Sequence, residues 1–390
     1  MTLADHHTTA ATNGVSTADV VVGDDDFCRR VIEPTDFIAD TEAFVDVRIE
    51  RSKGKASYSF IGPGVSQNAD QKINLTVPHG FNVGAASMPH GVVNNPHLHY
   101  TAEVFLCTRG DFRMTVGRDS EQHVDLERGD VFVAPTWVFR GFENIGDDDG
   151  WLFVVLGGDD TGGIIWSPDV LREAAETGMY LAPDYSLIDT STGDDASTVV
   201  APIDDAALDA VDRYSDDELE AHVVRAAGRA WTDRALLSSV LDGHQTRVAP
   251  VLGHGMSEDR RHRAPVATAQ GFSIEWLEVA PGCSTGLHRL AQSQVLLLTE
   301  GDWQISCNRG TDQLDAKPAD GSVVSIAEGA WREFRNVGST PAVAAVVCGT
   351  DGPKHIEWDP SIVAAARSLG WVRDAAGKVA PLALLPEGRA

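Results

Sequence analysis

The chain spells one pattern twice. Gly80-Phe81 recurs as Gly271-Phe272, Gly91 as Gly282, His97 as His288 and Gly110-Asp111 as Gly301-Asp302, each pair 191 positions apart. Gly129 then matches Gly321, Arg140 matches Arg332, Asn144 matches Asn336, and Trp166-x-Pro168 matches Trp358-x-Pro360, each 192 apart. A single inserted residue between Asp302 and Gly321 accounts for the step. A register held this long with one short indel implies two homologous domains of similar size.

Inside each copy the segments read as strands. Glu103–Cys107, Phe112–Val116, Val131–Ala134 and Trp151–Leu156 are short, rich in β-branched and aromatic residues, and punctuated by Gly, Asp and Pro. Phe272–Val279, Gln294–Thr299, Trp303–Cys307, Ser322–Ile326 and Ala342–Cys348 repeat the arrangement. Many short strands with turns between them predict an all-β sandwich or barrel in each copy. Each copy then closes on one short helix, capped by Ser167 or Asp359, opened by Pro168 or Pro360 and stopped by Gly178 or Gly370. The two barrels are expected over residues 36–165 and 230–350. Residues 1–35 read as an N-terminal tail, 166–229 as a helix and acidic linker, and 351–390 as a C-terminal helix and tail. Within the linker, Ser215-Asp-Asp-Glu218 is a capping box that predicts a helix to about Ala227.

Composition narrows the function classes. Of 390 residues, 43% are hydrophobic and 23% charged, which suits globular domains with cores of their own. The formal charge of −27 repels phosphate backbones and anionic headgroups, so neither nucleic acid nor a membrane surface is an expected partner. The longest apolar run, Ala342–Cys348, falls far short of the ~20 residues of a membrane helix. No basic, apolar leader opens the chain, and its five scattered cysteines form no CxxC pair. The expected location is the reducing cytoplasm. The expected partner is a small-molecule substrate, with self-association into a homo-oligomer left open.

One cluster carries chemistry. Gly91 is followed by His97-Leu98-His99, then Glu103, then Gly110. Positions two apart share a face of a strand, so both imidazoles point one way and Glu103 keeps their parity. Two imidazoles and a carboxylate converging inside a barrel make a facial triad for a divalent ion, iron(II) foremost.

This string resembles the first motif of the cupin superfamily: G, five residues, HxH, three or four residues, E, six residues, G. Every fixed position is met. The second cupin motif is met at Gly129, Pro135 and Asn144; Trp137 stands at a family glycine and Arg140 at the fourth metal ligand, a histidine. The resemblance extends over both copies. It implies a bicupin: two tandem double-stranded β-helix barrels with short flanking helices. It also implies a metal held by His97, His99 and Glu103, with Fe(II) first and Mn, Ni or Zn as alternatives. A guanidinium has no lone pair for a metal, so Arg140 is a candidate for pairing with Glu103 or clamping an anionic substrate. His90, just before Gly91, is a second candidate catalytic residue at the entrance. Phe81, Phe105, Trp137, Phe139 and Phe153 are candidate pocket walls, and Cys107 shares the ligands' parity.

In copy two His288 survives. Leu290 and Gln294 replace the other two ligands and Arg332 repeats the arginine, so this site is expected to be degenerate. The implied activity is a bicupin dioxygenase acting on a hydroxylated aromatic or a small diketone. The alternatives are a non-redox isomerase, lyase or decarboxylase, and a non-catalytic binding protein with a vestigial site.

Overall fold

The computed structural model describes residues 19–386. The tail expected at the N-terminus lies outside these residues up to position 18, and the last four residues of the expected C-terminal tail lie outside them too. Two β-barrels follow one another, each made of two facing sheets. In the first, the larger sheet has Glu103–Arg109 between Val131–Ala134 and Gly150–Gly157, continuing through Phe81–Met88 to Ala56–Ile61. Its smaller sheet runs Ile164–Trp166, Val93–His99, Arg140–Asn144, Phe112–Val116, Gln122–Leu126. In the second barrel the larger sheet is built on Gln294–Glu300 and Ala342–Gly349, the smaller on Trp331–Asn336. The strands read from the sequence in both copies are present, with ends shifted by a residue or two. The closing helices run Pro168–Glu176 and Pro360–Ser368, capped by Ser167 and Asp359 as expected.

The two larger sheets pack face to face, and this decides their composition. Val104, Leu106, Phe153 and Val155 of the first meet Trp276, Val295, Leu297 and Val347 of the second in one buried core. The alternate residues turn inward: Phe105 and Cys107 line the first barrel's own interior, Leu296 and Leu298 the second's. A sheet covered on both faces needs apolar residues at every position. That is why Trp151–Leu156 and Ala342–Cys348 read as unbroken apolar runs.

The repeat reaches further toward the N-terminus than the sequence reading placed it. The helix Asp24–Arg30 and strand Val31–Ile32 have counterparts 192 residues on, in Asp216–Glu220 and Val223–Val224. Each leading strand pairs with the other copy's barrel: Val31 opposite Val324, and Val224 opposite Val131. Phe27 accordingly joins the second barrel's core and Leu219 the first's. So residues 19–35, read as tail, are an arm of ordered structure. The helix expected over 215–227 ends at Glu220, because Val223–Val224 covers the exposed edge of Val131–Ala134. No helix among the described residues is long and apolar enough to cross a membrane.

Ile32 is 2% exposed in the core between the barrels and belongs to the crossing arm. Ile32→Ala is expected to cost about 2–5 kcal/mol, the range for emptying a buried aliphatic site. A fall in the urea midpoint at unchanged m-value checks it.

Candidate metal centre

The pleat and the gap between the sheets assemble the centre. His97 and His99 project from Val93–His99 of the smaller sheet, and Glu103 opens the adjoining strand of the larger one. His97 lies opposite both Arg140 and Trp166 in the ladder, so the guanidinium enters from the neighbouring strand. His97, His99, Glu103 and Arg140 are all buried, at 1%, 0%, 4% and 1% exposure. The ligand atoms of His97, His99 and Glu103 all lie within 4.8 Å of one another.

Backbone carbonyls set the tautomers. His97 Nδ1 is 2.7 Å from the Asn95 carbonyl oxygen and His99 Nδ1 is 3.3 Å from that of Gly163. A carbonyl can only accept, so both Nδ1 atoms carry a proton, which leaves Nε2 as the ligating nitrogen of each ring when neutral. His99 Nε2 is buried with no hydrogen-bond partner, and it lies 3.3 Å from Glu103 Oε2. Two acceptors facing each other in a dry site call for a cation between them. The donor set of two imidazoles and one carboxylate therefore fits a divalent metal ion.

Arg140 is tied to the protein. It donates from Nη1 to Glu103 Oε2 at 3.0 Å and from Nη2 to the Pro135 carbonyl at 2.7 Å. Burial alone would raise the Glu103 carboxyl. The Arg140 guanidinium opposes it and keeps the carboxylate charged, below its ordinary value. Burial drives the His97 ring well below its ordinary value, so it stays neutral and ready to ligate.

The triad lines a narrow cleft whose cavity volume is about 70 Å³. Phe105 lines it, as expected; the other four aromatics do not. Phe81 and Phe153 belong to the core between the barrels, and Phe139 is buried elsewhere. Trp137 is 48% exposed, with φ of 56° and its ring edge-on to Tyr100. That backbone region is where the family glycine sits without strain. Cys107 points into the barrel interior but binds the Gly110 carbonyl, and burial pushes its thiol up to about 12. His90 is an exposed turn residue held by the Gly146 carbonyl at 2.7 Å, and it is not a wall of the cleft. The candidate catalytic role at His90 is therefore dropped.

The sequence reading missed the other side of the cleft, where Lys55 and Asn94 line the wall. Asp46, 0% exposed, stands behind them and takes both oxygens to the Lys55 ammonium at 2.5 and 2.6 Å. No short motif marks these residues; only the packing of segment 40–61 against Val93–His99 brings them there.

The second barrel carries the relic. His288 keeps its Nδ1 on the Gly286 carbonyl at 2.8 Å, as His97 does with Asn95. Gln294 offers its amide oxygen to Arg332 at 3.2 Å, and Leu290 is plain core. Nearby, burial pushes the Glu258 and Glu275 carboxyls up to about 7.

Residues 85–156 match the family of cupin domains. No match to the chain is found among curated proteins. Among solved structures, the fold is similar to the oxalate decarboxylase of Lactobacillus farciminis in its formate complex. That match is 14% identical over 83% of this chain and 86% of that one, with TM-score 0.52. It is also similar to the oxalate decarboxylase of Bacillus subtilis at pH 4.6, 13% identical over 83% of this chain and 76% of that one, with TM-score 0.50. A further Bacillus subtilis structure, from a study of that enzyme's Mn(II) centres, is 14% identical over 83% and 78% of the two chains, again with TM-score 0.50. At these identities the likeness is one of fold.

Two outcomes are expected, one of this centre and one of the second barrel. The purified chain binds one divalent ion, and replacing both His97 and His99 by Ala empties it, as elemental analysis will read. Glu258 and Glu275 hold their protons more tightly folded than unfolded, so the stability they contribute is full below about pH 4.5 and lost as pH rises through about 7. The Tm of Glu258→Gln with Glu275→Gln should therefore fall less between pH 5 and pH 8 than that of the unaltered chain.

Proposed function

From the premise that this chain is a bicupin, a two-barrel member of the cupin superfamily, we propose that its first barrel is a divalent-metal-dependent, non-redox lyase of decarboxylase type. The observation that carries this reading is the buried, unpartnered His99 Nε2 facing the Glu103 carboxylate in a cleft. A metal bound there supplies Lewis acidity toward the chelating oxygens of a small acid. His97 and His99 offer it Nε2, oriented by the carbonyls of Asn95 and Gly163. Glu103 offers carboxylate oxygen. Arg140 holds that carboxylate in place and is a positioning residue, since Glu103 and Pro135 already occupy its two terminal nitrogens. The apolar wall around Phe105 keeps water from the reacting carbon.

Mn(II) is the first metal to test, in line with the Mn(II) centres of the Bacillus subtilis enzyme. Fe(II), Ni and Zn are its competitors for such a donor set. The dioxygenase reading would use the same three ligands, and the resemblance to decarboxylases lends it no support. The five cysteines are all unpaired, in keeping with a reducing cytoplasm. Metal-loaded protein offered a panel of 2-oxo and dicarboxylic acids is expected to release carbon dioxide with no net oxygen uptake. The variant lacking both histidines should release none. Oxygen consumed in step with turnover would select the dioxygenase instead.

A further inference from the structure

Behind the strand that bears both histidines, the first barrel holds a closed net of buried polar side chains. Asn95 is its hub and is 0% exposed. Its amide nitrogen donates to Asp46 at 2.7 Å and to Ser52 at 2.6 Å, and its amide oxygen accepts from Arg51 Nε at 2.6 Å. Ser52 in turn donates to Asp46 at 3.2 Å. The Lys55 ammonium donates to both Asp46 oxygens, at 2.5 and 2.6 Å, and to the Asn94 side-chain oxygen at 2.8 Å. Its three protons are thus all taken up within the net. What the net grips is the backbone at Asn94 and Asn95, and the Asn95 carbonyl is the group that holds His97 Nδ1.

The second copy carries the same strand without the net. Val45 N donates to Gln67 and Leu237 N to Glu258, while the Trp166 and Trp358 indoles donate to the same two side chains. Asp46 therefore corresponds to Ser238. Along the strands that follow, Lys55 corresponds to Thr246, Asn94 to Thr285 and Asn95 to Gly286. Gly286 has φ of 77°, and a methyl group on it would meet the Ser238 side chain and Ile362 at 3.2 Å. The strand runs unbroken over Val93–His99 in the first barrel, and its counterpart covers only His288–Arg289. His288 Nδ1 still finds the Gly286 carbonyl, at 2.8 Å. The bond from imidazole to carbonyl therefore forms without any net. A buried ion pair recovers little more than the hydration it loses, so stability gives no reason to keep one in a single copy. The net stands where the ring has two further ligands beside it, and is missing where Leu290 and Gln294 have replaced them.

We propose that Asp46, Lys55 and Asn95 are positioning residues for the metal centre: through the Asn95 carbonyl they fix the His97 ring so that its Nε2 meets the ion together with His99 and Glu103. Ligands locked by outer hydrogen bonds have less freedom to lose on binding, and removing such outer partners costs about 10–100-fold in metal affinity. The proposal rests on a metal at the triad and not on the reaction that metal serves.

The experiment measures Mn(II) affinity by competition with a chelator, and the electron paramagnetic resonance spectrum of the bound ion, on the full chain. Asp46→Ser with Lys55→Thr gives the first barrel the residues of the second. Asn95→Gly removes the hub and leaves the ion pair in place, and it serves alone if the double variant does not fold. Each is expected to weaken Mn(II) binding at least about tenfold and to change the zero-field splitting of the ion at saturation. Ile32→Ala separates positioning from stability, because it destabilises the chain from outside the net. Its Tm should fall while its affinity and spectrum stay those of the unaltered chain. Affinity or spectrum kept in either folded variant of the net, or lost equally in Ile32→Ala, overturns the proposal. So does an unaltered chain that takes up no divalent ion. A metal-loaded chain that releases no carbon dioxide from any acid sinks only the lyase reading, because none of these measurements needs turnover.

Discussion

A carboxylate at the floor of an apolar barrel must have a positive partner, and Glu103 sets the terms for everything around it. Taken from water, it would sooner take up a proton than stay charged unaided. Arg140 supplies the compensation at 3.0 Å and is itself the same depth in the protein. The second barrel separates the arginine's two duties. There the carboxylate has become Gln294, yet Arg332 remains and still donates to the carbonyl of Ala327, the counterpart of Pro135. Burial without a carboxylate brings the Arg332 guanidinium down to about 10. The arginine therefore ties the loop before its own strand in both copies, and balances a metal-binding charge in one.

That asymmetry sits inside a frame that is otherwise symmetric. The leading strands cross, the larger sheets share one core, and the helix caps Ser167 and Asp359 fall at matching positions. A barrel that has lost its own ligands still closes the edge and covers the sheet of the barrel that has kept them. This gives the second copy a physical role without any chemistry. The sheet bearing Glu103 has its outer face buried only because Trp276, Leu297 and Val347 lie against it.

The architecture and three of the metal-centre residues were legible in the sequence because they rest on spacing. Constant offsets reveal the duplication, alternation reveals which way His97, His99 and Glu103 point, and a cap followed by proline reveals each closing helix. The crossing arms were not legible. Val31-Ile32 is too short to read as a strand, and what it pairs with lies almost 300 positions away. His90 misled because adjacency to Gly91 in sequence places it in an exposed turn, not at the cleft. The aromatics misled for a different reason. A strand buried on both faces has no polar residues to mark its sides, so Phe153 and Phe105 look alike in sequence while facing opposite cores. Lys55 and Asp46 carry no motif, and a lysine in a polar stretch reads as solvated until its partner is seen.

The duplication also explains how such residues can be singled out. Two copies in one chain share a fold, a compartment and a history of packing constraints, so a pair of charges present in one and replaced by hydroxyls in the other is a controlled comparison. Residues that hold the barrel together should be alike in both, and Asn144 and Asn336 are. Each donates to two backbone carbonyls, at 2.7 and 2.7 Å in the first copy and 2.9 and 2.7 Å in the second. Residues that serve the centre are free to differ, and Glu103, His99, Lys55 and Asp46 do, while His97 keeps its counterpart in His288. The arginines fall with the asparagines, on the side of the frame. The buried ion pair falls with the ligands, although nothing in its own chemistry makes it bind a metal. What it shares with them is the strand it packs against, through Asn94 and Asn95.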